Sequence, residues 1–163
     1  MRAHLIAVAL LTGCGGMPTA GGLSSVATTT CASGSQWTGG NAESPLMNPG
    51  MACIACHTSE REGPSLAIAG TVYAKADEAD RCGGTSSGMT IEITDAAGAV
   101  RSLTPNAAGN FYLEKVTLKT PYKARLIYAG GTREMAAAQT NGDCNSCHTA
   151  TGLNGAPGRI APP

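Results

Sequence analysis

The chain has 163 residues, of which 13% are charged and 4% aromatic, and its 11 basic residues balance its 11 acidic residues. This length suggests one domain with attachments, and the lack of a basic patch or tail argues against nucleic acid as a partner. The low aromatic content predicts a thin core, and such domains often depend on covalent cross-links or cofactors. Seven cysteines are many for a cytosolic protein of this size, which indicates export.

The N-terminus indicates export and a lipid anchor. One Arg precedes an apolar run over residues 5–11, which is too short to span a bilayer and is typical of a signal peptide. The letters LTGC that follow resemble the lipobox of bacterial lipoproteins; an ordinary signal peptide with a nearby cysteine is the alternative. The resemblance implies a signal peptide over residues 1–13 and lipid on Cys14. The protein would then be anchored in the bacterial cell envelope, on the periplasmic or the outer-surface side.

Residues 14–50 are mostly Gly, Ser, Thr, Pro and Ala, with almost no apolar periodicity. Such a composition buries too little apolar surface to offset the loss of chain entropy on folding. The segment therefore predicts a flexible tether between the lipid anchor and a domain over residues 51–163. The alternative is an ordered coil laid over the domain, with Cys31 and Trp37 as candidates to hold it there.

The sequence C-x-x-C-H occurs twice, once near each end of the predicted domain. Its residues are Cys53, Cys56 and His57 in CIACH, and Cys144, Cys147 and His148 in CNSCH. C-x-x-C-H is the attachment signature of c-type haem: two thiols add to the two vinyl groups of one haem, and the following His binds the iron. The chain resembles c-type cytochromes at these two pentapeptides. The resemblance implies two covalent haems c, in haem segments 51–64 and 142–163.

Two other interpretations of the cysteine pairs stay open. Four cysteines in two C-x-x-C pairs also suit one tetrahedral zinc site, and local C-x-x-C disulfides occur in redox proteins. Neither explains why two of the three histidines in the chain directly follow the only two C-x-x-C pairs. The two-haem interpretation is therefore preferred.

Between the two motifs the sequence predicts six strands separated by turns. They are residues 65–74, 89–95, 99–103, 111–116, 122–129 and 132–138, with a GG hairpin turn at 130–131. This pattern predicts an all-β fold: a small antiparallel β-sandwich over residues 65–138, flanked by two haem-binding segments of loop or short helix and by the tether. Because an even number of antiparallel strands returns the chain to the end where it started, we expect CIACH and CNSCH side by side.

The order of the strand motifs resembles the carboxypeptidase-regulatory-like, transthyretin-type β-sandwich. The matching letters are AGTVYA, MTIEITDAAGAV, TPNAAGNFYL and YKARLIYAGG, within residues 67–138. That family implies a fold and a strand spacing without a catalytic site, so the function would come from the haem segments.

Two cysteines, Cys31 and Cys82, remain after the lipobox and the two motifs. In an oxidising compartment two such thiols usually pair. We therefore predict a Cys31–Cys82 disulfide that ties the tether to the domain, with Cα atoms within about 7 Å of each other. Unpaired or intermolecular thiols are the alternative.

The histidine count restricts the sixth ligand of each iron. His4 would leave with the signal peptide, so the mature chain keeps only His57 and His148, and both are already assigned as proximal ligands. Neither iron can then take a second histidine from its own chain. The sixth position must be Met, another donor, a residue of a neighbouring molecule, or open.

Among the methionines, we expect Met47 to serve the first haem and Met135 the second, since Met51 lies too close to Cys53 to reach the distal face. Met–His ligation would raise the reduction potential. For both residues the alternative is plain packing, because Met fills core gaps readily. Arg159 is a candidate partner for a haem propionate or an ordinary surface arginine.

These features together predict a membrane-anchored c-type cytochrome that transfers electrons outside the cytoplasm and is not an enzyme. The expected partner is a redox protein or an extracellular electron acceptor, with the membrane reached through the lipid anchor. A haem peroxidase or gas sensor with an open iron site is one alternative. Peroxide cleavage usually requires a distal base, however, and the mature chain has no histidine besides the two proximal ligands. A zinc-stabilised lipoprotein binding module is the other.

Overall fold

The structure is a computed structural model that describes residues 31, 33, 44–114 and 116–163. The predicted signal peptide, Cys14 and Trp37 lie outside the described residues. Over the described residues, the secondary-structure elements are mostly strands, in two antiparallel sheets, with one α-helix, α1 (Cys53–Glu60), and one 3-10 helix (Cys144–Ser146). The predicted all-β fold is confirmed.

Six strands lie between the two motifs, as predicted. They are β1 (Leu66–Thr71), β2 (Thr90–Thr94), β3 (Val100–Leu103), β4 (Asn110–Glu114), β5 (Lys123–Tyr128) and β6 (Gly131–Glu134). β1 pairs with β4 in a two-stranded sheet, and the other four form a sheet in the order β3-β2-β5-β6. In the ranges given above, no helix has the length and apolar character needed to cross a membrane.

The core contains side chains from both sheets. In β2 the alternation of residue types decides the inward face, because Ile91 and Ile93 are buried while Thr90, Glu92 and Thr94 are half-buried. These two side chains belong to one buried cluster whose other members are Ile68, Val72, Met89, Phe111, Tyr122 and Leu126. Since β1, β2, β4 and β5 all contribute to this cluster, burial of apolar surface joins the two sheets.

All six strands differ from their predicted ranges, most at the ends of β1 and β6, which end three and four residues earlier than predicted. β1 ends at Thr71 because the next residue, Val72, bridges to Ile160 near the C-terminus instead of continuing the pairing with β4. The predicted hairpin turn at 130–131 is wrong by one residue. Tyr128 pairs with Gly131, so the two-residue turn is Ala129–Gly130 and Gly131 opens β6.

Residues 44–50, at the end of the predicted tether, pack on the β1–β4 sheet. The side-chain amide of Asn110 donates to the carbonyl of Met47 at 2.8 Å and to that of Pro45 at 3.3 Å. The N–H of Gly50 donates to the hydroxyl oxygen of Thr71 at 2.8 Å. This part of the segment therefore matches the ordered-coil alternative.

The predicted disulfide between Cys31 and Cys82 is present, with Cα atoms 5.7 Å apart. Cys31 is buried, at 3% exposure, and nearby the N–H of Ser33 donates to the carboxylate of Asp80. Asp80 also lies close to the two sulfurs. Because both sulfurs are used in the disulfide, this group of three side chains is not a metal site.

Removing this disulfide is expected to lower the free energy of unfolding. The two cysteines are 51 residues apart in sequence, and closing a loop of that length contributes about 4 kcal/mol in the chain-entropy model. Urea denaturation of the variant Cys31→Ser/Cys82→Ser should show a loss of up to that size. Non-reducing peptide mapping of the wild type should join the two cysteine peptides. Separate peptides, or a variant as stable as the wild type, would contradict the structure.

Candidate functional site

The two C-x-x-C-H motifs lie side by side, as the even strand count predicted. Asp143, the residue before CNSCH, accepts a hydrogen bond of 2.9 Å from the N–H of Ala55, which lies inside CIACH. Asn145, inside CNSCH, donates a hydrogen bond of 2.8 Å to the carbonyl of Met51, two residues before CIACH. These bonds join residues 88 and 94 positions apart in the chain. The adjacency of the motifs is confirmed, and the separation of the two haems stays a prediction.

β1 is the element that positions both motifs. Helix α1, which contains CIACH, packs against β1. β1 also contacts the segment just before CNSCH: the N–H of Ala69 in β1 donates to the carbonyl of Gly142 at 2.9 Å, and Asp143 forms a parallel bridge with Ala69. Gly142 is needed at this point because a Cβ there would collide with the carbonyl oxygen of Ala67. Both motifs therefore pack against the same strand, β1, although the second motif follows β6 in the chain.

Asp143 caps helix α1 from a distant part of the chain. The residue before the helix, Ala52, has no side chain that could accept the N–H groups of the first turn. The Asp143 carboxylate, at 4% exposure, takes the N–H of Ala55, and the N–H groups of Ile54 and Cys53 also face it. Burial raises the pKa of the Asp143 carboxyl, and these three N–H groups act in the opposite direction.

Asn145 links the second motif to the sandwich through a buried polar network. Its carbonyl oxygen accepts the N–H of Thr71 at 3.0 Å, and its amide donates to the Thr71 hydroxyl at 3.0 Å. The Thr71 hydroxyl in turn donates to the side-chain oxygen of Asn110 at 2.8 Å. All three side chains are buried. Because a buried polar group without a partner is costly, this network favours a single position for CNSCH.

Both motif histidines are held by the same kind of hydrogen bond. Nδ1 of His57 lies 3.0 Å from the carbonyl oxygen of Pro64, and Nδ1 of His148 lies 2.9 Å from that of Gly158. A carbonyl oxygen only accepts, so Nδ1 carries the proton and Nε2 of the neutral ring keeps its lone pair. Metal-binding histidines usually bond their second nitrogen in this way. Burial lowers the pKa of His148, which favours the neutral, ligating form.

The loop that returns to His57 depends on a glycine. Gly63 has a φ of +73°, in the left-handed region, and a Cβ added there would lie 2.9 Å from Cε1 of the His57 ring. A larger residue would therefore displace the imidazole or the loop. Gly63 stands directly before Pro64, whose carbonyl accepts the histidine proton.

The four motif cysteines carry thiols and are not joined in disulfides. Burial raises the pKa of the Cys53 thiol and of the Cys144 thiol to about 12. Both are therefore protonated at neutral pH. In a redox-active C-x-x-C pair the exchanging thiol must form the thiolate readily, and the raised pKa values make Cys53 and Cys144 unsuited to that role.

The positions of the sulfurs also argue against the zinc alternative. A single tetrahedral site places each sulfur about 2.3 Å from the ion, and hence the four sulfurs within about 4 Å of one another. Over the described part of the chain, Cys31, Asp80 and Cys82 are the only group of three such ligand atoms within 4.8 Å of one another. The four motif cysteines, which are all described, are not gathered in this way.

The two predicted methionine ligands are anchored through their main chains. The carbonyl of Met47 accepts the amide of Asn110 at 2.8 Å, and the N–H of Met135 donates to the carbonyl of Ala124 at 2.9 Å. These bonds do not test whether either sulfur reaches an iron, so the axial assignment stays a prediction. Met51, which the sequence argument set aside, directs its sulfur to the guanidinium of Arg81.

Arg159 is not the surface arginine that one alternative predicted. It is 6% exposed, its guanidinium lies 4.5 Å from the centre of the Tyr73 ring, and its Nε donates to the carbonyl of Glu78 at 3.1 Å. These contacts hold the C-terminal segment on the sandwich.

Sequence reasoning missed Asp143, Asn145 and Tyr122. Tyr122 is buried in the core, donates its hydroxyl hydrogen to the carbonyl of Asn141 at 2.7 Å and lies beside the Cys144 thiol. For Asp143 and Asn145 the available signal was their position on either side of Cys144 in GDCNSCH. Polar residues there look like ordinary loop residues until their distant partners are known.

Replacing Asp143 is expected to loosen the contact between the motifs. Asp143→Ala leaves the N–H of Ala55 without its acceptor, and losing a helix cap typically costs about 1–2 kcal/mol of unfolding free energy. Asp143→Asn keeps an acceptor oxygen and should lose less. Urea denaturation measures both variants, and backbone hydrogen exchange at residues 53–56 should rise more in the Ala variant. Equal free energies of unfolding for the wild type and Asp143→Ala would show that the cap does not stabilise the fold.

A scan against protein-family models, a search of curated proteins and a search of solved structures each found no match to this chain. The resemblances to bacterial lipoproteins, c-type cytochromes and the transthyretin-type sandwich therefore rest on the residues quoted above.

Proposed function

We propose that this protein is an extracytoplasmic electron-transfer protein that carries two covalent haems c, one on each C-x-x-C-H motif. The observation that carries the proposal is the matched pair of histidines. Each follows a C-x-x-C pair, and each directs Nδ1 to a loop carbonyl, so that Nε2 is left for iron. Two unrelated loops that reach the same histidine geometry are better explained by a shared ligand than by separate packing needs.

The residues present fit two haems of this type. The proposed thioether attachments are Cys53 and Cys56 for one haem and Cys144 and Cys147 for the other. The proposed iron ligands are His57 and His148, with Met47 and Met135 as sixth ligands. A bound haem supplies one-electron chemistry between ferric and ferrous iron. The chain's own contribution is to fix the imidazoles, to hold Cys53 and Cys144 in half-buried positions and to hold the motifs together through Asp143.

We also propose that lipid on Cys14 anchors the protein to a membrane of the bacterial cell envelope, on the periplasmic or the outer-surface side. The letters LTGC support the anchor. The Cys31–Cys82 disulfide supports an extracytoplasmic location, because such bonds persist in oxidising compartments. The partner would be a redox protein or an extracellular electron acceptor.

Protein produced with a c-type maturation system is expected to carry two covalent haems. Its intact mass should exceed that of the unmodified chain by two haems, and a pyridine haemochrome spectrum should give the same count. Cys53→Ala/Cys56→Ala and Cys144→Ala/Cys147→Ala should each lose one haem. Cys31→Ser/Cys82→Ser is the matched control and should keep both. Matured protein that binds zinc and no haem would contradict the proposal.

The proposed sixth ligands are tested by substitution of single methionines. Met135→Ala should change the absorption spectrum and lower the midpoint potential of one haem, and Met47→Ala should do so for the other, because Met ligation raises the potential. Met89→Leu, which keeps the volume of a buried core residue, is the control and should change neither. If Met135→Ala leaves both haems unaltered, Met135 is a packing residue.

A further inference from the structure

The two C-x-x-C-H motifs are alike in sequence but differ in their surroundings. Residues 58–65, which follow His57, are all exposed. Residues 149–157, which follow His148, are half-buried or exposed, but residues 158, 159 and 161, near the Gly158 carbonyl that holds His148, are buried. The carbonyl that holds the histidine therefore belongs to an exposed residue, Pro64, in the first motif and to a buried one, Gly158, in the second.

The loop after His57 is held by contacts within itself. Among its described residues, the side-chain hydrogen bonds are local: His57 with the carbonyl of Pro64, and the hydroxyl of Ser59 with the carbonyl of Cys56 and the carboxylate of Glu60. All of these bonds lie at exposed positions. Water and a partner molecule can therefore reach this side of the first motif.

The loop after His148 is anchored in the sandwich at several points. Its anchoring bonds run from the N–H of Arg159 to the carbonyl of Ala76, from the N–H of Tyr73 to the carbonyl of Ile160, and from Nη1 of Arg133 to the carbonyl of Ala161. The bridge between Val72 and Ile160 adds a fourth point. A segment fixed in this way keeps the Gly158 carbonyl, which holds Nδ1 of His148, buried against the sandwich.

A cation further distinguishes the second motif. Arg133 on β6 is half-buried and reaches the same C-terminal segment that accepts the proton of His148. Its guanidinium donates to the carbonyl of Ala161, three residues after Gly158. Ferric haem carries one more positive charge than ferrous haem, so shielding from water and a nearby cation both favour the ferrous form. Both effects raise the midpoint potential at this site.

We propose that the two haem sites are unequal: the His57 site exchanges electrons with the outside partner, and the His148 site is the shielded site of higher midpoint potential. This inference rests on the proposed function. With haem bound at both motifs, His57 would hold the group that takes one electron from an outside donor, which is oxidised by one electron, and His148 would hold the group that receives that electron.

Single-haem variants of the full matured chain test this assignment. Cys144→Ala/Cys147→Ala keeps the His57 site, and Cys53→Ala/Cys56→Ala keeps the His148 site. Potentiometric titration gives the midpoint of each. Stopped-flow reduction by dithionite and oxidation by ferricyanide measure access in both directions. We expect the His57 site to have the lower midpoint and to react several-fold faster in both directions.

The assignment would be overturned if the two single-haem variants had equal midpoint potentials and equal rates. It would also be overturned if the His57 site had the higher midpoint potential or the slower reaction. A wild type that matures without haem would instead overturn the proposed function, so the two failures are distinguishable. Since removing both cysteines of a motif can disturb folding, Arg133→Gln in the two-haem protein is the second test. It should lower only the higher midpoint, and an unchanged higher midpoint would count against the assignment. Arg125→Gln, which loses only an ion pair with Glu92 on the same sheet, should alter neither.

Discussion

The hydrogen bond from the N–H of Ala55 to the carboxylate of Asp143 joins the two C-x-x-C-H motifs, and the geometry of the site depends on it. Each partner needs the other. The first turn of α1 has N–H groups that its own sequence does not cap, and a carboxylate at 4% exposure needs donors. The contact gives the N–H of Ala55 an acceptor and one Asp143 carboxylate oxygen a donor, and it fixes two segments that are far apart in sequence.

The sandwich turns this local contact into a defined site. β1 receives α1 on one side and the segment before CNSCH on the other, and Thr71 at its end holds Asn145. The cysteines are thereby placed by the fold, while each histidine is oriented by its own loop through Pro64 or Gly158. The proposed inequality of the two haem sites rests on how those loops are attached: Pro64 lies in an exposed loop and Gly158 in a buried segment.

The features that sequence reasoning predicted are those with a local signal. Alternating isoleucines marked β2, turn residues separated the six strands, and leftover cysteines gave the disulfide. Asp143 was missed because its partner is 88 positions away, and no short pattern shows that a loop carboxylate will be buried. The hairpin was placed one residue late because either residue of Gly130-Gly131 satisfies a turn, and strand pairing, which is not local, chose between them.

The central claim is that this chain holds two haem irons side by side in one molecule. Electron paramagnetic resonance of the fully oxidised, matured protein tests it most directly, because magnetic coupling between two ferric irons falls steeply with their separation. The account predicts coupled signals in the wild type that disappear in either single-haem variant. A wild-type spectrum equal to the sum of the two single-haem spectra would contradict it.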